Sequence, residues 1–515
     1  MLKNKITQFC KIYTNRYGTN MKPIIFKHNK PFCLKMRSTF SIILYGGIIF
    51  FLAGCAAVGP DYSRIEPKAP EKWHTKLEGG LTIGKNAPET LAYWWTIMKD
   101  PQLSKLEELA VNGNLDLKEA RARIREARAR RGIIKANLFP ALDAKASANN
   151  YRTSENSSTG DEENLYSAGF DAGWELDVFG GVRRSIEAAD ADLQAAHEDL
   201  NNVLVSLMAE VAMNYLEVRT FQARLTVNEE NIKIQKKTYE LNLSRYTAGI
   251  IDDLSVQQSL YNLELTRSKI PTLQTGLEEA KNRLAILLGQ NPGAVHKELA
   301  ERKQLPVLPA AVAVGIPADT LRSRPDIRTA ERRLAARTAM TGVATSDLYP
   351  KFRLNGTIGL ESISTGNFLT HESRTWSIGP AVSWNIFHAG AIRQNIKVQS
   401  ALQEQALIQY ESAVLKAQEE VENVLVAYAK EQLRRQSLVS ATSAAKRANN
   451  LAREQFRAGL VDFNNVLDAQ RSLLSFQDEL ARSDGAVMSN LVRLYKALGG
   501  GWKVQGRCLG TSICN

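Results

Sequence analysis

Cysteine, histidine and aromatic side chains are all scarce. The 515 residues include five Cys and six His, and 7% are Phe, Trp or Tyr. Five scattered Cys exclude a disulfide-stapled scaffold. The six His (His28, His74, His197, His296, His371 and His388) show no metal-ligand spacing, and no CxxC occurs, so no metal site is expected. No apolar run reaches about 18 residues, which excludes a polytopic bundle of membrane helices. No nucleophile and base are arranged as a hydrolase needs, so no enzyme is expected. The stretch Gly79 to Asn86, GGLTIGKN, nearly fits a phosphate-binding loop. Its last position is Asn86 where a magnesium-holding Ser or Thr belongs, and no buried strand precedes it, so no nucleotide or other cofactor is expected.

What is present begins with charge. Lys plus Arg is 66 against 54 acidic residues, a net +12. That excess hints at nucleic acid or an anionic membrane. Its origin is local. Residues 1–54 carry nine basic residues and no Asp or Glu, so without them the count is 57 (66 less nine) against 54. The nucleic-acid reading goes with them, and no nucleic-acid partner is expected. The Arg-rich stretch 121–131 then reads as a Glu-balanced helix face.

Residues 1–54 read as a leader. An uncharged run, Ser41 to Gly54, is too short to span a bilayer and fits a signal-peptide core. It ends in Leu52-Ala53-Gly54-Cys55, which resembles the bacterial lipoprotein box and makes Cys55 the expected lipidation site. Met36-Arg37 begins a signal of conventional length, so the true start is expected at Met36 or Met21. Ala56 after the lipidated Cys, in place of Asp, points to the outer membrane by family rule.

The mature chain repeats itself. An offset of 210 pairs Leu138 with Leu348, Pro140 with Pro350, Trp174 with Trp384, Gly180 with Gly390, Gly249 with Gly459 and Leu288-Gly289 with Leu498-Gly499. One offset held over that span means two tandem copies of one unit. The expected organisation is an arm at 55–113, repeat one at 114–289, a Pro-rich linker at 290–323, repeat two at 324–499 and a tail at 500–515. Five of the 16 prolines (Pro292, Pro306, Pro309, Pro317 and Pro325) fall in or beside the linker, which cannot be one helix. In the tail, Cys508 and Cys514 either pair or have no role.

Each unit is expected to run helix, hairpin, long helix, turn, helix. The first helices, 114–137 and 324–347, stop at Leu138-Phe139-Pro140 and Leu348-Tyr349-Pro350. The period then changes to two. In 351–361 and 375–386 the even positions are mostly apolar and the odd ones mostly polar. Segment 165–178 repeats this, and 141–151 does so weakly. Such strands have the length to cross a bilayer; a soluble hairpin with one wet face is the alternative. Trp174 and Trp384 stand where an aromatic girdle would sit. Four strands cannot close a barrel, since the smallest known has about eight, and open edges cannot face lipid. Spanning strands therefore require several chains in one barrel.

Helical stretches of about 60 residues follow Arg183 and Arg393. Their apolar stripe (Leu200, Leu204, Leu207, Val211, Tyr215, Val218) has coiled-coil spacing. They break at Gly249 and Gly459, where left-handed geometry ends a helix. Asp252 and Asp462 are expected to cap the returning helices, 254–288 and 464–498. Pro271 interrupts the first of these; its partner Ala481 does not interrupt the second.

The combination Gly59-Pro60-Asp61-Tyr62, Arg324-Pro325-Asp326-Ile327-Arg328, Leu348-Tyr349-Pro350, Trp384-Asn-Ile-Phe387 and Leu467-Asp468-Ala469-Gln470-Arg471 resembles the OprM-type, NodT-family outer-membrane factor lipoproteins, relatives of TolC. The resemblance implies an α+β, mainly α fold in a homotrimer. Its parts are a shared 12-stranded transmembrane β-barrel and a long coiled-coil helical barrel in the periplasm. It implies the passive exit duct of a tripartite efflux system, held in outer-membrane lipid. The partners would be a periplasmic adaptor (membrane fusion) protein and an inner-membrane pump of the resistance-nodulation-division class. It implies that the tips at Gly249 and Gly459 meet the adaptor, and that Asp468 and Arg471 constrict the periplasmic mouth. The family's Leu one turn earlier is Asn464 here. Copy-one positions Gln258 and Tyr261 are uncharged, so a charged ring would come from copy two alone. A surface ion pair at a helix end is the alternative for Asp468 and Arg471. A duct for metal or protein, or a poreless structural lipoprotein, is the alternative for the whole.

Overall fold

The computed structural model describes residues 57–67, 69–84, 91–157, 160–306 and 312–502. The leader, Cys55, Cys508 and Cys514 lie outside them.

The arm ends in α1 (Pro101–Gly113), and repeat one contains α2 (Leu115–Ala136), β2 (Ala141–Arg152), β3 (Glu162–Leu176), α3 (Gly181–Thr247), α4 (Asp253–Arg267) and α5 (Lys269–Leu287). The linker ends in α6 (Pro317–Ser323), and repeat two contains α7 (Pro325–Ser346), β5 (Lys351–Ser362), β6 (Arg374–Ser383), α8 (Ala391–Arg457) and α9 (Phe463–Ala497). Before the two repeats lie β1 (Leu81–Ile83) and β4 (Val312–Val314) respectively, which pair in parallel. No helix among the described residues is long and apolar enough to cross a membrane.

The long helices, α3 and α8, are 67 residues each, about 100 Å at 1.5 Å per residue. They start at glycines in left-handed geometry, Gly180 (φ 78°) and Gly390 (φ 83°). The return path differs between copies. In copy one it breaks at Ser268, between α4 and α5, whereas α9 runs unbroken through 35 residues. Pro271 carries no N–H, and its ring crowds the carbonyl four residues back, at Arg267. The fault therefore falls just upstream of the proline.

Three expectations need correction. The arm 55–113 contains a full helix, α1, whose first turn is capped by Asp100 through the N–H groups of Gln102 (2.9 Å) and Leu103 (3.2 Å). Asp252 caps α4 through the Ser255 N–H (3.2 Å), but Asp462 makes no side-chain cap on α9. The last strand ends at Ser383, leaving Trp384 and Ile386 beyond it.

The four long strands form one antiparallel sheet in the order β2-β3-β5-β6. Opposite residues share parity throughout, as in Phe170↔Ile358 and Phe352↔Val382. The apolar even positions therefore make one continuous face. Leu142, Phe170, Ile358, Trp376, Ile378 and Val382 are all exposed on it. The two copies meet at β3 and β5, where Gly169 faces Gly359. A Cβ on either glycine would lie 2.6 Å from a carbonyl oxygen of the other strand.

The main core sits between the two ends, where α1, α3, α5, α8 and α9 converge. Trp94 stacks on Tyr495 there (centroids 5.7 Å). Arg219 of α3 is fully buried. It donates to Gln222 Oε1 (2.7 Å), the Glu301 carbonyl (2.7 Å), Gln102 Oε1 (2.6 Å) and Tyr215 Oη (3.1 Å). Tyr215 in turn donates to Asp100 (2.6 Å). One guanidinium thus ties the long helix to the first turn of α1 and to the linker.

Candidate functional site

Three places along the chain carry the residues of interest. The first is the junction of strand and helix. Trp174 Nε1 donates to the Leu138 carbonyl, and Trp384 Nε1 to the Leu348 carbonyl, both at 3.0 Å and both across 36 residues. Each indole ties the Leu-aromatic-Pro corner to the far end of its hairpin. The signal was in the sequence, since both Trp and both Leu keep the 210 offset. Copy one adds a carboxylate cap. Asp177 accepts from the N–H groups of Val182 and Arg183, both at 2.9 Å, and stabilises the start of α3. At the matching position copy two has Phe387, which is exposed.

The arm returns to this junction. Val58 N–H donates to the Phe179 carbonyl (3.1 Å). The buried Arg184 reaches the Val58 carbonyl (3.1 Å) and Asp61 (2.6 Å). Further along, Tyr62 donates to Glu331 (2.9 Å). Burial, then that hydrogen bond, pushes its phenol up to about 12. Trp73 donates to the Gly315 carbonyl (2.7 Å), and the His74 and Thr75 N–H groups bind Glu422 (2.7 and 3.0 Å). These contacts join residues more than 120 apart, which no local pattern reports.

The second place is the far end of the long helices. Gly249 (φ 72°) and Gly459 (φ 73°) take the left-handed geometry. The Ile250 and Leu460 N–H groups then close on the carbonyls of Arg245 and Gln455, each at 2.9 Å. This is the helix-ending pattern in which an N–H bonds five residues back. A Cβ at either glycine would meet nothing within 4 Å, and Ile250 and Leu460 stand exposed beside them. The two tips touch through Arg245, which lies over the Phe456 ring (5.2 Å).

The third place is the start of α9. Asn464, Asp468 and Arg471 are spaced i, i+4, i+7 and so share one helix face. Asn464 and Asp468 are exposed and Arg471 is half-buried. The two charges do not form the helix-end ion pair considered as the alternative. Arg471 instead donates to Tyr261 Oη (2.6 Å) and Asn262 Oδ1 (3.2 Å) of α4, with its guanidinium 5.1 Å from the Tyr261 ring centre. Tyr261 is its own counterpart in copy one. Asp468 is left with no ion-pair or hydrogen-bond partner among the described residues.

An antiparallel sheet whose even face is apolar along most of its length, standing on long helical hairpins, fits the class of outer-membrane channels. Residues 106–290 and 316–500 each match the family described as outer membrane efflux protein, again at an offset of 210 (316 less 106). The chain belongs to this family. It is 32% identical over 441 residues to Nodulation protein T of Rhizobium leguminosarum bv. trifolii, covering 84% of this chain and 91% of that one. The Solvent efflux pump outer membrane protein SrpC of Pseudomonas putida is 31% identical over 466 residues, covering 88% and 97%. The solved outer-membrane channel OprN superposes with a TM-score of 0.80 at 37% identity, covering 87% of this chain and all of that one. The chain is an exit duct of a tripartite efflux system, and its family is one of transport channels.

Proposed function

We propose that three copies close their four-stranded sheets into one 12-stranded outer-membrane barrel, continued by a helical tunnel into the periplasm. The observation that carries this reading is the sheet itself: along most of its length the even face is exposed and apolar, while β2 and β6 are left as unpaired edges. Open edges cannot be tolerated in lipid, because each unpaired N–H and C=O costs several kcal/mol there. Cys55, at the end of a lipoprotein-box sequence, carries the lipid anchor. Ile250 and Leu460, exposed at the Gly249 and Gly459 tips, supply apolar contacts for a periplasmic adaptor. That adaptor couples the duct to an inner-membrane pump of the resistance-nodulation-division class. Asp468, with Asn464 and Arg471 on the same helix face, forms the polar constriction of the periplasmic mouth.

Planar-bilayer recording tests this reading. The variant Asp468→Ala/Arg471→Ala is expected to show a higher basal conductance than the parent protein. Equal conductance removes the constriction from these residues. No conductance from either protein removes the pore.

A further inference from the structure

We infer that Arg374, together with the apolar hollow beside it, holds a phosphorylated glycolipid of the outer leaflet against the outer face of the sheet. The inference rests on the reading of the sheet as a membrane barrel and adds a lipid site to its lipid-facing side.

Position decides what Arg374 can do. The strand pairings set Ala146, Ala168, Leu360 and Arg374 in one row across the sheet. One row nearer the helices come Ala144, Phe170, Ile358 and Trp376. From there to Leu176, Phe352 and Val382 every even residue of the four strands is apolar. Arg374 is thus the first charge met on this face on leaving the apolar band, and Trp376 stands at the band's edge, as a girdle aromatic does. Arg374 is exposed and makes no ion pair or side-chain hydrogen bond among the described residues. Glu372, the nearest acid in sequence, is bonded to Thr370 instead.

Beside Arg374 the sheet surface is hollow. Ala146 and Ala168 are too short to fill the space flanked by Phe170, Ile358 and Leu360, and a cavity of about 660 Å³ opens there with Arg374 in its wall. An acyl chain fits such a trough, and a guanidinium at its end fits a phosphate, which it can grip with two N–H groups at once. Further out on the same face the side chains are uncharged. Tyr166 and Ser362 stand in the next row, then Asn150 and Asn164, whose amides bond each other at 3.1 Å. Charge returns only in the row after that, as the facing Arg152 and Glu162.

Apolar trough, single cation, then hydroxyls and amides is the order of acyl chain, phosphate and sugar in a phosphorylated glycolipid. An anionic phospholipid would use the trough and the cation but leave the amides beyond them unmatched, so it is the competitor to exclude. The site belongs to copy two alone. Copy one has Asn164 and Tyr166 where copy two has Arg374 and Trp376, so each chain carries one site.

Native mass spectrometry of the detergent-solubilised full chain, with purified diphosphoryl lipid A added, tests the site. Arg374→Gln removes the cation, and Ala168→Leu fills the hollow while keeping the cation. The parent protein is expected to retain one lipid A per chain, about tenfold more tightly than dephosphorylated lipid A or phosphatidylglycerol. Arg374→Gln should erase the preference for the phosphorylated form. Ala168→Leu should weaken retention and keep that preference; undiminished retention overturns the role of the hollow. Equal retention of lipid A by the parent and Arg374→Gln, or equal retention of lipid A and phosphatidylglycerol by the parent, overturns the proposal. Planar-bilayer conductance of the same preparations separates it from the reading beneath it. Conducting protein without an Arg374-dependent preference loses the site and keeps the barrel, whereas a parent protein that does not conduct loses both.

Discussion

The two copies share one plan and differ where their surroundings differ. Copy one has a capped turn at Asp252, a return path broken at Ser268, a carboxylate cap at Asp177 and the buried Arg219 node. Copy two has no side-chain cap at Asp462, an unbroken α9, Phe387 in place of Asp177 and Ala429 in place of Arg219. Conversely, the first helix of copy two is sandwiched while that of copy one is half bare. Copy one is the side completed within the chain on its long helix. Copy two is the side whose long helix stays largely bare within the chain. Duplication supplies the shape, and divergence marks which contacts are internal.

The largest effect should come from breaking the node that only copy one has. Arg219→Ala strips four hydrogen bonds from one buried guanidinium and should cost about 3 kcal/mol or more. Thermal unfolding should show it as a lower midpoint and a lower yield of folded protein. Imposing the copy-one break on copy two comes next. Ala481→Pro places a proline inside α9 and should cost about 3 kcal/mol, whereas Pro271→Ala should be neutral or stabilising. Equal losses from the two changes would contradict the assignment of the Ser268 break to Pro271.

The buried Glu107 sharpens the contrast through pH. Both of its carboxyl oxygens lack a partner, and burial alone pushes its pKa well above the ordinary 4.5. The folded state therefore holds a proton that the unfolded state has lost. Stability should fall as pH rises above about 4.5, by up to about 1.4 kcal/mol per pH unit from this one group, until the raised pKa is passed. Glu107→Gln should flatten that slope in denaturant titrations at several pH values. The copy-two counterpart is Pro317, which cannot titrate. The smallest effect belongs to the caps. Asp252→Ala should lower the unfolding midpoint slightly, and Asp462→Ala by less. The lowered pKa of Asp252 follows from its bonds to Ser255, so its contribution is present at neutral pH and is lost as pH falls through that depressed value.

Much of this plan was legible in the sequence because the repeat doubles each signal. Leu-aromatic-Pro, the alternating strands and the Gly tips each occur twice at one offset. The Pro271 fault was legible as a fault, though its position followed from the clash with Arg267. The helix α1 was overlooked although Asp100-Pro101 is a helix-start signal, because the segment around it is marked by Pro and Gly. The pairing of Arg471 with Tyr261 and the strapping of the arm by Arg184, Glu331 and Glu422 were not legible. They depend on which faces of distant helices meet, and nothing local encodes that. Cys55 rests on sequence alone.

Amide hydrogen exchange on the detergent-solubilised protein tests most directly whether the bare edges are closed by neighbours. β2 and β6 should exchange as slowly as the central strands β3 and β5, because all four would then be paired on both sides. Fast exchange confined to β2 and β6, with β3 and β5 protected, would mean that the sheet ends in open edges, and a shared barrel would be contradicted.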